Sequence, residues 1–474
     1  MRDVMLILDF DHDVSRTAAR MLRAEKIHCR ILPGDSVSAE LFASDPRGII
    51  LAGRNCIRTE FDTALLENTV PVLALGGAAC FMAETLGGTL GEPVTISGLN
   101  SVEYMNCPLF EGLESIDRMI GQVCDWELPP ILMPAAKTNE HVLSCMHMAR
   151  PFYGLQLEMD PNEPEDGQIL RNFAVEICDC EAEWTESAFV EHAAEQIRHA
   201  VGDEKALCCV TGGLDSAVSA CIAYQALREQ LQCVFIDTGF LREGEAKRFL
   251  ELCENVLHLP VLYVDAKERF MQAFEGLREQ DEKRRVLQHT MHNVISELAV
   301  KHGPFGYFVK GTNCSDKMYQ SAASLVPGDL ALIEPLEDLF KPEIKQVAAI
   351  LGLPEWFVRQ QPFPSGGLAL RIMGRVTAER LSTLRFADAL FSAELMENGI
   401  AKKLYKYYAM LLPGDRNTVV LRSIQAGEGT MASAARLPYD VIETVTARIL
   451  QESSHVAHVV YDMTPGNYYS DAEW

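Results

Sequence analysis

The chain has 474 residues, 48% hydrophobic and 23% charged, with a formal net charge of -25. That length exceeds one ordinary hydrophobic core and predicts a globular protein of two or three domains. So acidic a surface repels phosphate backbones and anionic headgroups. Nucleic acid and membrane partners are therefore set aside, while a local basic pocket for a nucleotide phosphate stays open.

Val4 to Phe10 reads as a first buried strand, not a secretory leader, because Asp3 precedes its short apolar run and Asp9 lies inside it. A helix over Val14 to Glu25 follows. Gly48 to Ala52 and Val70 to Leu75 repeat the strand signal, the latter running into a helix near Ala78 to Leu86. The acidic, proline-containing stretch Asp160 to Gly167 reads as a loop and Cys178 to Glu183 as a connector, with Thr185 as the cap of the next helix. A second series begins with the strand Ala206 to Val210, a helix from Ser216 and the strand Cys233 to Asp237, and continues to about Phe357. Gln361 to Gly367 is a Pro/Gly hinge. Beyond it lie helices over Thr377 to Glu397 and Tyr439 to Glu452, and strands over Thr418 to Ile424 and Val456 to Tyr461.

Alternating strands and helices predict an α/β protein: two parallel-sheet domains, 1–180 and 185–360, and a small α+β domain, 361–474. No window approaches the ~20 apolar residues of a membrane span. The 14 cysteines are scattered, with Cys178 and Cys180 one residue apart, Cys208 next to Cys209, and no CxxC pair. Buried reduced thiols in a cytoplasmic protein are the expectation.

The most informative segment is Val210-Thr-Gly-Gly-Leu-Asp-Ser-Ala-Val218, between a strand and the helix that follows. Thr211, Gly212 and Gly213 let the backbone turn tightly, and the helix N-terminus beyond Leu214 adds unpaired amides and its positive dipole end. Ser216 can add a hydroxyl, and Asp215 can orient the loop or meet a magnesium ion. The segment is either a pyrophosphate cradle or a tight connection that uses glycine for packing. It is not a GxxxxGK[ST] loop.

Thr211 to Ser216 closely matches the SGGxDS loop of the ATP pyrophosphatases, which cut ATP between its α and β phosphates. The surroundings resemble the GMP synthase family: Phe235-Ile-Asp-Thr-Gly-Phe-Leu-Arg242, Val264-Asp-Ala-Lys-Glu-Arg-Phe270, Glu282-Lys-Arg-Arg285, Gly311-Thr312 with Asp316, Glu334-Pro-Leu-Glu-Asp-Leu-Phe-Lys341, Ala435-Arg-Leu-Pro-Tyr-Asp440 and the terminal Glu473-Trp474. The resemblance implies that Thr211 to Ser216 grip the leaving pyrophosphate and that Asp237, Thr238 and Gly239 lie near adenosine, with Gly311 beside the site. Asp316, with Asp215, would be in the magnesium neighbourhood, and Lys341 would stabilise charge. ATP and magnesium are the implied cofactors. The implied reaction adenylates the 2-oxygen of a purine nucleotide such as XMP, after which ammonia displaces AMP to give GMP. A homodimer is implied by the same resemblance.

Residues 1–180 resemble the class I glutamine amidotransferase domain, through Ile7-Leu-Asp-Phe10, Gly48-Ile-Ile-Leu51, Pro71-Val-Leu73, Leu86-Gly-Gly88, Tyr153-Gly-Leu-Gln156 and Asn172-Phe173. That chemistry needs a thiolate on a sharp strand-to-helix turn, a histidine base and an orienting carboxylate. Here Gly76 stands at the nucleophile position. The family's F-H-P-E reads Leu157-Glu-Met-Asp160, so Glu158 replaces the histidine and Asp160 ends the motif. Cys80, one helical turn beyond Gly76, reads as a buried small hydrophobe. The expectation is an enzyme without glutaminase activity that uses free ammonia.

The features facing the purine nucleotide are altered as well. H-P-F-P-G-P-G reads Gln361-Pro-Phe-Pro-Ser-Gly-Gly367, and the K-P-P tail is replaced by Pro465-Gly-Asn-Tyr-Tyr-Ser470. Arg371, Arg422, Arg436 and Glu473 are the substrate-binding candidates left. Three readings follow: an ammonia-dependent GMP synthase, a paralogue that adenylates and then amidates or thiolates another acceptor, and a non-catalytic pseudoenzyme.

Overall fold

A computed structural model describes residues 4–43, 45–318, 326–361, 367–414, 416–426, 431–464 and 466–467. The chain divides into two compact units, Met1–His192 and Ala193–Trp474.

The first unit is built on nine strands: β1 (Met5–Asp9), β2 (Cys29–Pro33), β3 (Gly48–Ala52), β4 (Val72–Leu75), β5 (Thr89–Tyr104), β6 (Ile116–Glu127), β7 (Leu132–Lys137), β8 (Val142–His147) and β9 (Phe152–Leu155). Their order is β2-β1-β3-β4-β9-β8-β7-β5-β6. The run from β2 to β9 is parallel, and its β3, β4 and β9 are wholly buried, as strands covered on both faces must be. The rest is antiparallel. Along β5 most residues are exposed, so that half carries little of the apolar signal that reveals the parallel half. The helix His12–Ala24 starts where Asp11 accepts the amides of Asp13 and Val14. The stretch Asp160–Gly167 is not all loop: Pro164 stands in the first turn of a helix, Pro164–Arg171, where its missing N–H costs nothing. Thr185 does cap the next helix, accepting the Ala188 amide at 3.2 Å.

The second unit holds two five-stranded sheets. The first contains β10 (Ala206–Val210), β11 (Leu231–Asp237), β12 (Val261–Asp265), β13 (Tyr307–Val309) and β14 (Ala331–Ile333), all parallel, in the order β12-β11-β10-β13-β14. The chain starts in the middle, moves outward on one side, then returns to the other side of β10. The topological switch point thus lies between β10 and β13, and open α/β sheets bind ligands outside the carboxyl ends of the strands at such a point.

The second sheet contains β15 (Lys406–Leu412), β16 (Asn417–Ala426), β17 (Met431–Ala434), β18 (Val456–Asp462) and β19 (Gly466–Asn467). It is antiparallel except for β18, which runs parallel to β16. Helices Ala378–Glu397 and Tyr439–Glu452 pack on it. One core joins both sheets, from Leu207, Val234 and Phe308 to Leu384, Phe391, Leu421 and Ile449. The fold is thus α/β with a smaller α+β portion. Among the described residues no helix is long and apolar enough to cross a membrane. None of the fourteen cysteines, all among the described residues, is in a disulfide, and eleven are buried.

Candidate functional site

The phosphate loop leaves β10 at the switch point. Gly212 adopts φ +84°, a conformation that favours glycine. Gly213 is the N-cap of the helix Leu214–Leu227, which begins two residues before the position read from sequence. The amides of Leu214, Asp215 and Ser216 have no acceptor within that helix and form the anion-facing turn. Ser216 closes the loop on itself: its hydroxyl accepts the Thr211 amide at 3.1 Å and donates to the Gly213 carbonyl at 3.0 Å. The Thr211 amide therefore goes to the shape of the loop.

Gly311, just past β13, lies against this turn so closely that a Cβ there would stand 2.7 Å from the Asp215 carbonyl carbon and 2.8 Å from the Ser216 nitrogen. Asp215 is gripped by groups distant in sequence. Lys341, first residue of the helix Lys341–Ile350, sets its ammonium 2.6 and 2.7 Å from the two carboxylate oxygens. The Asn313 side-chain amide donates to the same carboxylate at 3.1 Å. The Asn313 main-chain N–H donates to Asp316 at 3.2 Å, and its side-chain oxygen accepts the Asp316 amide at 3.0 Å. Asn313 thus sits between the two carboxylates. Magnesium that arrives on phosphates needs only one or two protein carboxylates, so Asp215 and Asp316 fit as its partners. Among the described residues no group of three His, Cys, Asp or Glu forms a closed metal cage. From the other side, the Gln360 side-chain amide donates to the Gly212 carbonyl at 3.0 Å.

At the end of β11, the Asp237-Thr-Gly239 turn is internally braced. Asp237 accepts the Gly239 amide at 2.9 Å, Thr238 accepts the Phe240 amide at 3.2 Å, and Gly239 adopts φ +78°. Tyr263 donates to Asp237 at 3.0 Å, and the Lys267 ammonium lies 3.3 Å from it. The Tyr263 hydroxyl, then Asp237, hold the Lys267 ammonium above its ordinary range. Lys267, Asn313 and Gln360 were not singled out from sequence. Lys267 lies inside a quoted motif, but the other two carry no local signal, and Asn313 is 98 residues from the aspartate it holds.

Two of the basic substrate candidates, Arg371 and Arg422, are buried. Arg371 is only 5% exposed, 3.3 Å from Asp388 and stacked on the Tyr408 ring at 4.5 Å. Burial, with Arg242 nearby, pulls its pKa down to about 10. Arg422 is 2% exposed and paired with Asp462 across β16 and β18. Both charges are neutralised inside the protein, because a buried guanidinium needs a carboxylate partner. Arg436 is exposed, in the loop before the helix Tyr439–Glu452. Glu473, and Pro362 to Gly366 of the hinge, lie outside the described residues.

In the first unit, Gly76 stands on the strand-to-helix turn with φ +56° and ψ -122°. A Cβ there would lie 2.3 Å from the Gly53 carbonyl oxygen and 2.8 Å from the Asn55 nitrogen. The next amide, Gly77 N–H, is where such an elbow supplies an oxyanion donor. Here it donates to the Arg54 carbonyl at 2.9 Å, and a Cβ on Gly77 would fall 1.6 Å from the Ile57 oxygen. The 53–57 segment therefore fills the space over the elbow. Glu158 is exposed and Asp160 accepts the Asn162 amide at 2.9 Å. Cys80 is 2% exposed, its thiol directed at the Gln156 side-chain oxygen at 3.6 Å, and burial pushes that thiol well above its ordinary range.

Against known proteins, the model described as NAD synthase matches residues 188–398, and that of the GMP synthase C terminal domain matches 393–470. A glutamine-hydrolysing GMP synthase of Caldanaerobacter subterraneus subsp. tengcongensis is 33% identical over 98% of this chain and 97% of its own length. One from Thermosynechococcus vestitus is 34% identical over 98% of this chain and 95% of its own. Among solved structures, NMN synthetase from Francisella tularensis covers 39% of this chain and 78% of its own at TM-score 0.33 and 14% identity. Whole-length likeness of this order makes the chain a member of the GMP synthase family, an ATP-pyrophosphatase ligase by descent.

Proposed function

We propose that the protein adenylates XMP with ATP, releases pyrophosphate, and aminates the adenylate to GMP with free ammonia, without hydrolysing glutamine. In this reading residues 1–180 are a degenerate amidotransferase domain, 185–360 the ATP pyrophosphatase domain and 361–474 a domain through which two copies pair. The amides of Leu214 to Ser216 hold the β and γ phosphates, and Lys341, freed from Asp215 as those phosphates enter, faces the developing negative charge. Asp215 and Asp316 would hold magnesium, which would supply charge neutralisation on the leaving pyrophosphate.

The observation that carries the ammonia half is the elbow. A glycine stands at the nucleophile position, and the Arg54 carbonyl already takes the amide that would stabilise an oxyanion. The relatives' names describe glutamine hydrolysis, whereas here the thiol, the base and the oxyanion donor are absent or engaged.

One observation favours a second reading, a family member with a different acceptor. Arg371 and Arg422 spend their charge on Asp388 and Asp462, which thins the cationic surface that a nucleotide monophosphate needs. The test is pyrophosphate release from ATP and magnesium, with ammonium or glutamine as donor, with and without XMP. XMP-dependent release with ammonium alone is expected. Release independent of XMP would transfer support to the second reading, and equal rates with glutamine would sink the ammonia claim.

A further inference from the structure

Within the Asp237 to Arg242 turn the Gly239 and Phe240 amides are met by Asp237 and Thr238, and three successive carbonyls, of Gly239, Phe240 and Leu241, accept from the C-terminal portion of the unit. Arg385, on the helix Ala378–Glu397, donates Nη2 to the Gly239 carbonyl at 2.6 Å and Nε to the Leu241 carbonyl at 2.9 Å. Between them, the Phe240 carbonyl accepts the Leu368 amide at 2.7 Å. Asp388 lies three residues after Arg385 and so on the same helix face. It is 2% exposed and stands 3.4 Å from Arg242 at the end of the turn, while also accepting the Ala409 amide of β15 at 2.9 Å. One helix face therefore grips this turn at both ends.

We infer that Arg385 is a positioning residue for ATP: by holding the Gly239 and Leu241 carbonyls it fixes the turn beside adenosine, so nucleotide affinity depends on a side chain outside the ATP sheet. The inference rests on the proposed ATP site. A planar guanidinium reaches two carbonyls at a fixed angle, which an ammonium on a flexible stem cannot reproduce. Without that fork the turn opens more often, exposing its amides, and loses its registry against β12 and the phosphate loop; errors of this kind are costly in oriented sites.

The test uses the full-length protein with Arg385→Lys and Arg385→Met, followed by three readouts. Amide hydrogen exchange at residues 239–242, measured without nucleotide, is expected to rise in both variants. The dissociation constant for ATP with magnesium is expected to weaken about tenfold or more in Arg385→Met and less in Arg385→Lys, while kcat for pyrophosphate release at saturating ATP stays within about threefold of the parent. Unchanged affinity, or kcat and affinity falling together with the melting temperature, would overturn the inference alone. A parent protein that binds no ATP would sink the nucleotide reading, and this inference with it.

Discussion

Replacing Gly76 with cysteine restores the nucleophile on paper, and the geometry predicts that it will not restore glutaminase activity. At φ +56° and ψ -122° an L side chain pays backbone strain of about 1–3 kcal/mol. Its Cβ would also meet the Gly53 oxygen at 2.3 Å and the Asn55 nitrogen at 2.8 Å. These are main-chain atoms that cannot rotate away, so overpacking adds roughly 1–3 kcal/mol. The sum, on the order of 2–6 kcal/mol, should lower the melting transition of the first unit by roughly 5–20 °C. Differential scanning calorimetry reads that shift, and a coupled ammonia assay with glutamine reads the chemistry. The new thiol would still lack a histidine, and the Gly77 amide would still point at the Arg54 carbonyl. A Gly76→Cys protein that melts with the parent, or that frees ammonia from glutamine, refutes the reasoning.

Four further outcomes are expected. Lys341→Met, which removes the ammonium 2.6 Å from Asp215, should lower kcat for pyrophosphate release by about 10²–10³-fold with a much smaller change in ATP affinity; steady-state kinetics beside calorimetric binding separate the two. Gly311→Ala drives a methyl to within 2.7 Å of the Asp215 backbone, and ATP binding measured by calorimetry should weaken at least about tenfold. Cys80→Ala should leave ATP-dependent turnover unchanged and cost about 1 kcal/mol in the first unit's urea unfolding. Lys283 is fully buried, donates to the Ile372 carbonyl at 2.5 Å, and has its pKa pulled down to about 8 from 10.5 by burial and then Arg380. Between those two values the unfolded chain holds a proton that the folded chain has released, so this residue makes stability rise with pH across the window, by up to about 3 kcal/mol. The difference between parent and Lys283→Met in urea unfolding, followed from pH 8 to 10, should show that slope, and a flat difference would refute it.

What was legible in the sequence was what local backbone chemistry encodes. Thr211 to Ser216 declares itself because two glycines and a helix start must fall in that order to turn a strand toward a ligand, and the absence of a thiol at Gly76 needs no coordinates. The parallel strands β1, β3, β4 and β10 are continuous apolar runs, readable because both faces are covered. The antiparallel β5 to β8 were missed, since β5 leaves most of its residues in water and its pattern resembles a polar loop. The burial of Arg371 and Arg422 was hidden for a different reason. An arginine in a sequence carries no mark of whether its carboxylate is a substrate's or an internal aspartate 17 or 40 residues away, here Asp388 and Asp462. The same blindness hid Asn313 and Arg385, whose contacts exist only because segments far apart in sequence converge in the fold.

The first unit raises the question of why so tight a turn is kept with no nucleophile on it. The turn is also a junction of the fold: the Gly76 amide donates to the Leu155 carbonyl at 2.8 Å, and the Gly76 carbonyl accepts the Ala79 and Cys80 amides at 3.1 and 3.3 Å. Those bonds tie β4 to β9 and start the helix Gly77–Thr85, so the backbone path is fixed whether or not a nucleophile is present. Given the path, glycine is the residue that occupies it without a steric cost of about 1–3 kcal/mol. Strain that a catalytic cysteine must bear is relieved by its loss, and the oxyanion donor, otherwise an unsatisfied amide in a closed site, gains the Arg54 carbonyl. Each step in the proposed loss of glutaminase chemistry therefore also stabilises the scaffold. On this argument the filled elbow and the missing thiol are one event in energetic terms. Reversal would need the 53–57 segment opened and the cysteine and histidine returned together.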